Sequence, residues 1–281
     1  MRPEFFPFEK KPSVIERPIT KIVILMAMQD EADPIIKELK LNPCEIGLDH
    51  RLNLHTFKGT LQEQNTAAEF ELVLVAQGFC RRFTECPVSQ VGTQAATRAT
   101  MEICNKLEPQ LIITAGTAGG YPLKGAQVGD VFVSTDQISY HNRDIPLPGY
   151  EAYGKGNYEC LEIPSVTSEL NLKSSIISTG DSLRPSDRDE IMIAENKAII
   201  KDMEAAAVAE TALLFGVSVL AVKSVTNQIG LYNDFKPNFQ IAIKNLAEKI
   251  PEILKRIINK KPSELLIPST SVETYKMAIN Q

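Results

Sequence analysis

The stretch Lys21-Ile22-Val23-Ile24-Leu25-Met26-Ala27 decides the fold of this chain. A helix with one buried face repeats its apolar residues every three or four positions, and a half-buried strand alternates them. This run does neither. It is short, continuously apolar and rich in β-branched residues, so it reads as a strand buried on both faces, as in the centre of a parallel or mixed sheet. The polar segment Met28-Gln29-Asp30-Glu31-Ala32 follows at its carboxyl end.

The same logic extends outward. Glu31–Leu41 has helical spacing in Ile35, Ile36 and Leu39, and His55–Leu61 and Glu69–Ala76 read as strands. In Val91–Leu107 the residues Ala95, Ala96, Ala99, Ile103 and Leu107 share a helical face. Leu111–Thr114 is a further buried strand, ending at Ala115-Gly116-Thr117-Ala118-Gly119-Gly120. Asp130–Asp136 and Ser174–Ser178 read as strands with a Pro- and Gly-rich loop region between them. Ala205–Phe215 follows as helix, Val217–Val225 as strand, and Asn238–Ile258 as a long closing helix with Pro251 as a potential kink. Strands alternating with helices place the chain in the α/β class: a single-domain, three-layer α/β/α fold with a central mixed sheet. The expected division is an N-terminal extension over 1–20 that wraps the surface, a domain over 21–259, and a polar, loosely held tail over 260–281.

Composition narrows the function. With 281 residues and 43% hydrophobic content, the chain builds one substantial core. A net charge of −5 and a pI near 5.4, without a dense basic stripe, argue against nucleic acid as a partner. No apolar run reaches the roughly 18 residues of a membrane span. The opening Met1-Arg2-Pro3-Glu4-Phe5-Phe6-Pro7-Phe8 is broken by prolines and charges, so the expected location is the cytoplasm. Cys44, Cys80, Cys86, Cys104 and Cys160 are odd in number and lack CxxC spacing, which favours buried thiols over disulfides or zinc. His50 and His55 have no acidic cluster beside them. No metal and no organic cofactor is implied.

Four polar or glycine-rich elements stand at the ends of apolar strands, where open α/β sheets bind ligands. Glu31 is either a first-turn capping acid or a general base holding a water. Gly116 and its neighbours either make a tight turn or let backbone N–H groups approach a ligand closely; they match neither a Walker loop nor a clean GxGxxG. Ser178-Thr179-Gly180-Asp181-Ser182-Leu183 and Lys223-Ser224-Val225-Thr226-Asn227-Gln228 are the other two strand ends. In Lys201-Asp202-Met203-Glu204-Ala205-Ala206-Ala207-Val208-Ala209, alanines favour helix, so Glu204 falls in or near a first turn. From there it either serves the helix or accepts hydrogen bonds from a pair of ribose hydroxyls.

A-M-Q-D-E-A, T-A-G-T-A-G-G with V-G-D-V-F-V, S-T-G-D-S-L, and D-M-E-A-A-A-V-A with K-S-V-T-N occur in that order. Together they resemble the methylthioadenosine/S-adenosylhomocysteine nucleosidases of the nucleoside phosphorylase superfamily, over roughly residues 20–258. His141-Asn142-Arg143-Asp144-Ile145-Pro146-Leu147-Pro148 and K-D-M-E look closer to the plant-type enzymes. The resemblance implies hydrolysis of 5′-methylthioadenosine, in methionine salvage, to adenine and methylthioribose, with S-adenosylhomocysteine as a second candidate substrate. It places Glu31 as the water-activating carboxylate, Glu204 on the ribose hydroxyls, Met203 against the sugar, and Leu183 with the backbone of Arg184 at the adenine. Lys223 stands near the attacking water, as in the plant type; bacterial relatives have Arg there, and a plain surface charge is the other reading. The resemblance also implies a homodimer in which the His141–Pro148 region is lent to the partner's 5′-alkylthio pocket.

Asn227 departs from the pattern, since the family carries an aspartate there that protonates adenine N7. Cleaving an N-glycosidic bond pushes electrons into the purine, and a general acid typically contributes about 10²–10⁴-fold in rate. An amide donates a hydrogen bond to N7 and transfers no proton, so intact binding with slow or absent turnover is expected. An engineered Asp→Asn change and a natural drift toward a binding role, as in the catalytically silent vegetative storage proteins, both stay open. A phosphorylase on the same fold is the enzymatic rival. Glu31 opposes it, because a carboxylate at the water position repels phosphate.

Overall fold

The computed structural model describes residues 16–59, 70–83, 85, 87–231 and 234–266. In it β1 (Lys21–Met26) is buried from Ile22 onward, and its alternate residues feed two separate cores. Ile22, Ile24 and Met26 pack into one, Val23 and Leu25 into the other. The remaining strands are β2 (Asn42–Pro43), β3 (Leu54–Gly59), β4 (Glu71–Gln77), β5 (Leu111–Gly120), β6 (Val131–Tyr140), β7 (Tyr158–Glu159), β8 (Lys173–Thr179), β9 (Ile200–Asp202) and β10 (Ser218–Gln228). The helices are α1 (Gln29–Glu38), α2 (Thr93–Leu107), α3 (Glu151–Lys155), α4 (Pro164–Leu170), α5 (Asp187–Glu195), α6 (Ala205–Leu214), α7 (Phe235–Ile257) and α8 (Pro262–Leu265).

The first core lies between the sheet and α1, α4, α7 and α8, through Ile35, Val166, Leu246, Ile250 and Leu265. The second lies under α2 and α6, whose Ala96, Ala99, Ala206 and Ala209 let the two helices pack closely together. The three layers expected from the sequence follow directly from this two-sided burial.

The sheet is mixed. β1 runs parallel to β4 and β5, while β3 and β2 add antiparallel strands beyond β4. β5 also pairs along its whole length with parallel β10, and β10 pairs with antiparallel β6. From β6 the ladder continues through β8 and β9 and returns to the far end of β5, closing a ring. β1 leaves β5 after Thr114, and β9 joins it only at Gly119. A crevice opens between these two points, at the carboxyl ends of β1 and β4 and beside the middle of β5.

Several expectations are corrected. The glycine-rich segment after Thr114 is the second half of β5, because its backbone bonds to β10 and β9 outweigh the weak strand preference of glycine. The loop expected between Asp136 and Ser174 holds the end of β6 together with α3, β7 and α4. α7 runs unbroken through Pro251. Past Lys260, α8 docks through buried Leu265, and Ser165 Oγ donates to the Leu265 carbonyl at 2.9 Å. At the other end Ile19 is buried and its N–H donates to the Lys260 carbonyl at 3.0 Å. Residues 1–15 and 267–281, Leu61, Glu69 and Cys86 lie outside the described residues. Cys104 is buried, whereas Cys44, Cys80 and Cys160 are half-buried, and all four are free thiols. No helix among the described residues is long and apolar enough to cross a membrane.

Candidate active site

α1 begins immediately past β1 and points its first turn into the crevice, so Glu31 arrives there buried. In the gap left by β1 and β9, the Thr117 N–H and hydroxyl both donate to Glu31 Oε1, at 2.8 and 2.6 Å. A Cβ on Gly116 would stand 3.1 Å from Glu31 Oε2, so glycine is what admits the carboxylate this close. Burial raises the Glu31 pKa; the Thr117 hydrogen bonds and the Lys223 charge offset part of the rise.

Glu204 is the residue at which α6 starts, and it is also buried. Its Oε1 accepts from the Gly92 N–H at 2.9 Å, at the start of α2. Gly92 has φ +91°, and a Cβ there would meet Asp181 Oδ1 at 2.7 Å, so the position requires glycine twice over. Asp181 in turn accepts from the Thr93 N–H at 2.6 Å and its hydroxyl at 2.8 Å. Thus S-T-G-D-S-L holds the end of α2, and the end of α2 holds Glu204. Burial pushes the Glu204 carboxyl up to about 7; Lys223 opposes the rise and Asp202 adds to it.

Lys223 is fully buried on β10, with Nζ 2.9 Å from Asp202 Oδ2 and 3.5 Å from Thr114 Oγ1. This is a buried ion pair rather than a surface charge. Asp202 also accepts from the Thr179 hydroxyl at 2.5 Å and the Ala205 N–H at 2.8 Å. Burial alone would raise the Asp202 pKa, but Lys223 and these hydrogen bonds hold it below the usual carboxylate range. Burial alone would likewise lower Lys223, and the carboxylates around it keep it protonated.

Glu31, Gly116, Glu204 and Lys223 therefore line one enclosed cavity, about large enough for a single water. Gln77, Thr114 and Thr117 complete its polar wall. Met203 is half-buried next to Glu204. Asn227 is half-buried four residues beyond Lys223, opposite Gly119, and its Oδ1 accepts from the Thr226 hydroxyl at 3.2 Å. A Cβ on Gly119 would come within 3.2 Å of Asn227 Nδ2. Leu183 and Arg184 are not among the cavity residues; both are exposed on the segment after β8. The Lys201 ammonium donates to the Ser182 carbonyl at the start of that segment. His141 is buried with Nδ1 3.1 Å from Ser178 Oγ, and Arg143 pairs with Glu210 at 2.7 Å.

Sequence reasoning missed Asp202, Gly92, Thr117 and Gln77. Two of them leave a trace: Asp202 stands within the K-D-M-E phrase, and Gln77 is the polar end of the otherwise apolar L-V-L-V-A-Q.

The model of the Phosphorylase superfamily matches residues 21–258. A 5′-methylthioadenosine/S-adenosylhomocysteine nucleosidase of Arabidopsis thaliana is 36% identical over 250 residues, covering 88% of this chain and 93% of that protein. A 5′-methylthioadenosine nucleosidase of the same plant is 36% identical over 237 residues, covering 84% of each. The apo structure of an Arabidopsis thaliana 5′-methylthioadenosine nucleosidase aligns with a TM-score of 0.80 at 32% identity, over 88% of this chain and 99% of that one. Matched along nearly its whole described length in sequence and in architecture, the chain belongs to the phosphorylase superfamily, on its methylthioadenosine/S-adenosylhomocysteine nucleosidase branch.

Proposed function

We propose that the chain hydrolyses the N-glycosidic bond of 5′-methylthioadenosine to adenine and methylthioribose. One observation carries this reading: two buried carboxyl groups, Glu31 and Glu204, face a water-sized cavity whose cation, Lys223, is already neutralised by Asp202. A phosphate dianion would find no free positive charge there and two acids against it, which disfavours a phosphorylase. A water, by contrast, finds a proton acceptor.

In this scheme the water oxygen attacks C1′ while its proton passes to Glu31. The C1′–N9 bond breaks, and its electron pair moves into the purine. Glu204 accepts hydrogen bonds from the ribose hydroxyls, Met203 packs on the sugar, and Leu183 with the Arg184 backbone lies along the adenine. Asn227 donates to N7 but supplies no proton, so departure of the base relies on solvent and is slow. The protein works in the cytoplasm as a homodimer, in keeping with its free thiols and the family resemblance, and S-adenosylhomocysteine is the second substrate to assay.

Asn227 itself supports a second reading, a nucleoside-binding protein with the fold of a nucleosidase. Adenine release from methylthioadenosine without phosphate, by the chain as it stands and by Asn227→Asp, separates the two. The expected result is release that rises about 10²-fold or more in the variant. Release only with added phosphate would make it a phosphorylase. No release by a folded variant that still binds the nucleoside would leave a binding protein.

A further inference from the structure

Gln77 is the last residue of β4, and it enters the same cavity from the side opposite β10. It is 2% exposed, and its Nε2 finds no hydrogen-bond partner among the described residues. A buried amide without a partner costs stability, so one persists where something other than the fold uses it. Its neighbours define that use. Glu31 and Glu204 are acceptors facing the same water-sized space, and Lys223 is committed to Asp202.

We propose that Gln77 is a catalytic residue of this chain, holding the attacking water by a hydrogen bond from its carboxamide. The inference rests on the hydrolytic reading above. A water oriented for attack has one O–H pointed at its base and one lone pair pointed at C1′, which leaves its second O–H and its second lone pair to be fixed. The Gln77 N–H supplies the donor for that lone pair, while Glu31 takes the proton. A neutral amide suits the position, because it fixes the water without adding charge beside two carboxyl groups and without competing for the proton.

Two measurements test this. In a crystal structure of the full chain, an ordered water is expected within hydrogen-bond distance of both Gln77 Nε2 and the Glu31 carboxylate. A protein acceptor on Nε2 would overturn the proposal, as would the lack of such a water in a well-ordered site. In the Asn227→Asp background, Gln77→Met is expected to leave the thermal midpoint unchanged or higher, because an apolar side chain of similar length replaces a buried amide whose nitrogen no acceptor among the described residues holds. It should lower kcat about tenfold or more and leave affinity for methylthioadenosine within about twofold. A retained or raised midpoint with unchanged kcat would make Gln77 structural only, and a raised KM with unchanged kcat would place it on the sugar instead. If the Asn227→Asp parent itself releases no adenine, the hydrolytic reading fails on that result, and the crystallographic water alone decides whether Gln77 fixes a water beside Glu31.

Discussion

A carboxyl group buried at the start of α6 beside a second acid, Asp202, keeps its proton up to about pH 7, which ties both stability and binding to pH. The unfolded chain releases that proton near 4.5, so between these two points the folded state holds more protons than the unfolded one. Stability contributed by this site therefore falls as pH rises from about 4.5 to 7, by an amount on the order of 3 kcal/mol, and is level outside that window. Glu204→Gln removes the titration, and its melting temperature at pH 8 should exceed that of the parent. Binding runs the other way, because ribose hydroxyls are accepted best by the ionised group. Methylthioadenosine affinity of the parent should strengthen from pH 6 to 8, and that of Glu204→Gln should be weaker and flat; a flat parent profile by calorimetry would refute the assignment. At this scale the sequence was readable where an acid followed an apolar strand, as with Glu31, or opened an alanine run, as with Glu204. Lys223 stayed ambiguous because its partner Asp202 lies 21 positions away on another strand, and only the fold joins them. The trace that Gln77 leaves was too weak to single it out, since a polar residue is what any strand end shows.

Between elements, the buried Lys223–Asp202 pair ties β10 to β9. Removing one member strands the other charge among buried groups, away from bulk solvent. Lys223→Met should cost about 3–5 kcal/mol in urea unfolding, and adding Asp202→Leu should recover much of that loss. Independent, additive losses would show that the two are not coupled. Continuous apolar runs made β1 and β4 legible, and helical periodicity did the same for α2 and α7. β5 was cut short at Gly116 because glycine reads as a breaker when taken alone. The bonds that keep it extended come from β10 and β9, 80 or more residues downstream. β9 has three residues, too few for any period, and it holds the residue on which Lys223 depends.

For the whole molecule, the segment from His141 is anchored on its own chain. Arg143 stacks 3.8 Å over the Tyr140 ring and 4.9 Å over that of Tyr153, and its guanidinium pairs with Glu210. Beyond that anchor Leu147, Tyr150 and Tyr153 are about half exposed. An apolar, half-exposed patch of this kind suits a second copy of the chain. Light scattering should return twice the chain mass of 31.1 kDa, and Leu147→Asp with Tyr150→Asp should halve it without unfolding the protein. A monomeric parent would refute the dimer. The three layers were legible from one seven-residue run, but the closure of β5, β10, β6, β8 and β9 into a ring was not, since pairing between distant strands has no local signature. That closure bears on aggregation. A strand inside a ring has no unpaired backbone to offer a neighbouring chain, and among the described residues the ladder ends outside the ring only in two-residue strands. One is β2, which includes Pro43, and the other is β7. A sheet this large and this apolar would otherwise template its own fibrils, and among the described residues its free edge is confined to these two short strands and the part of β3 that β2 leaves uncovered.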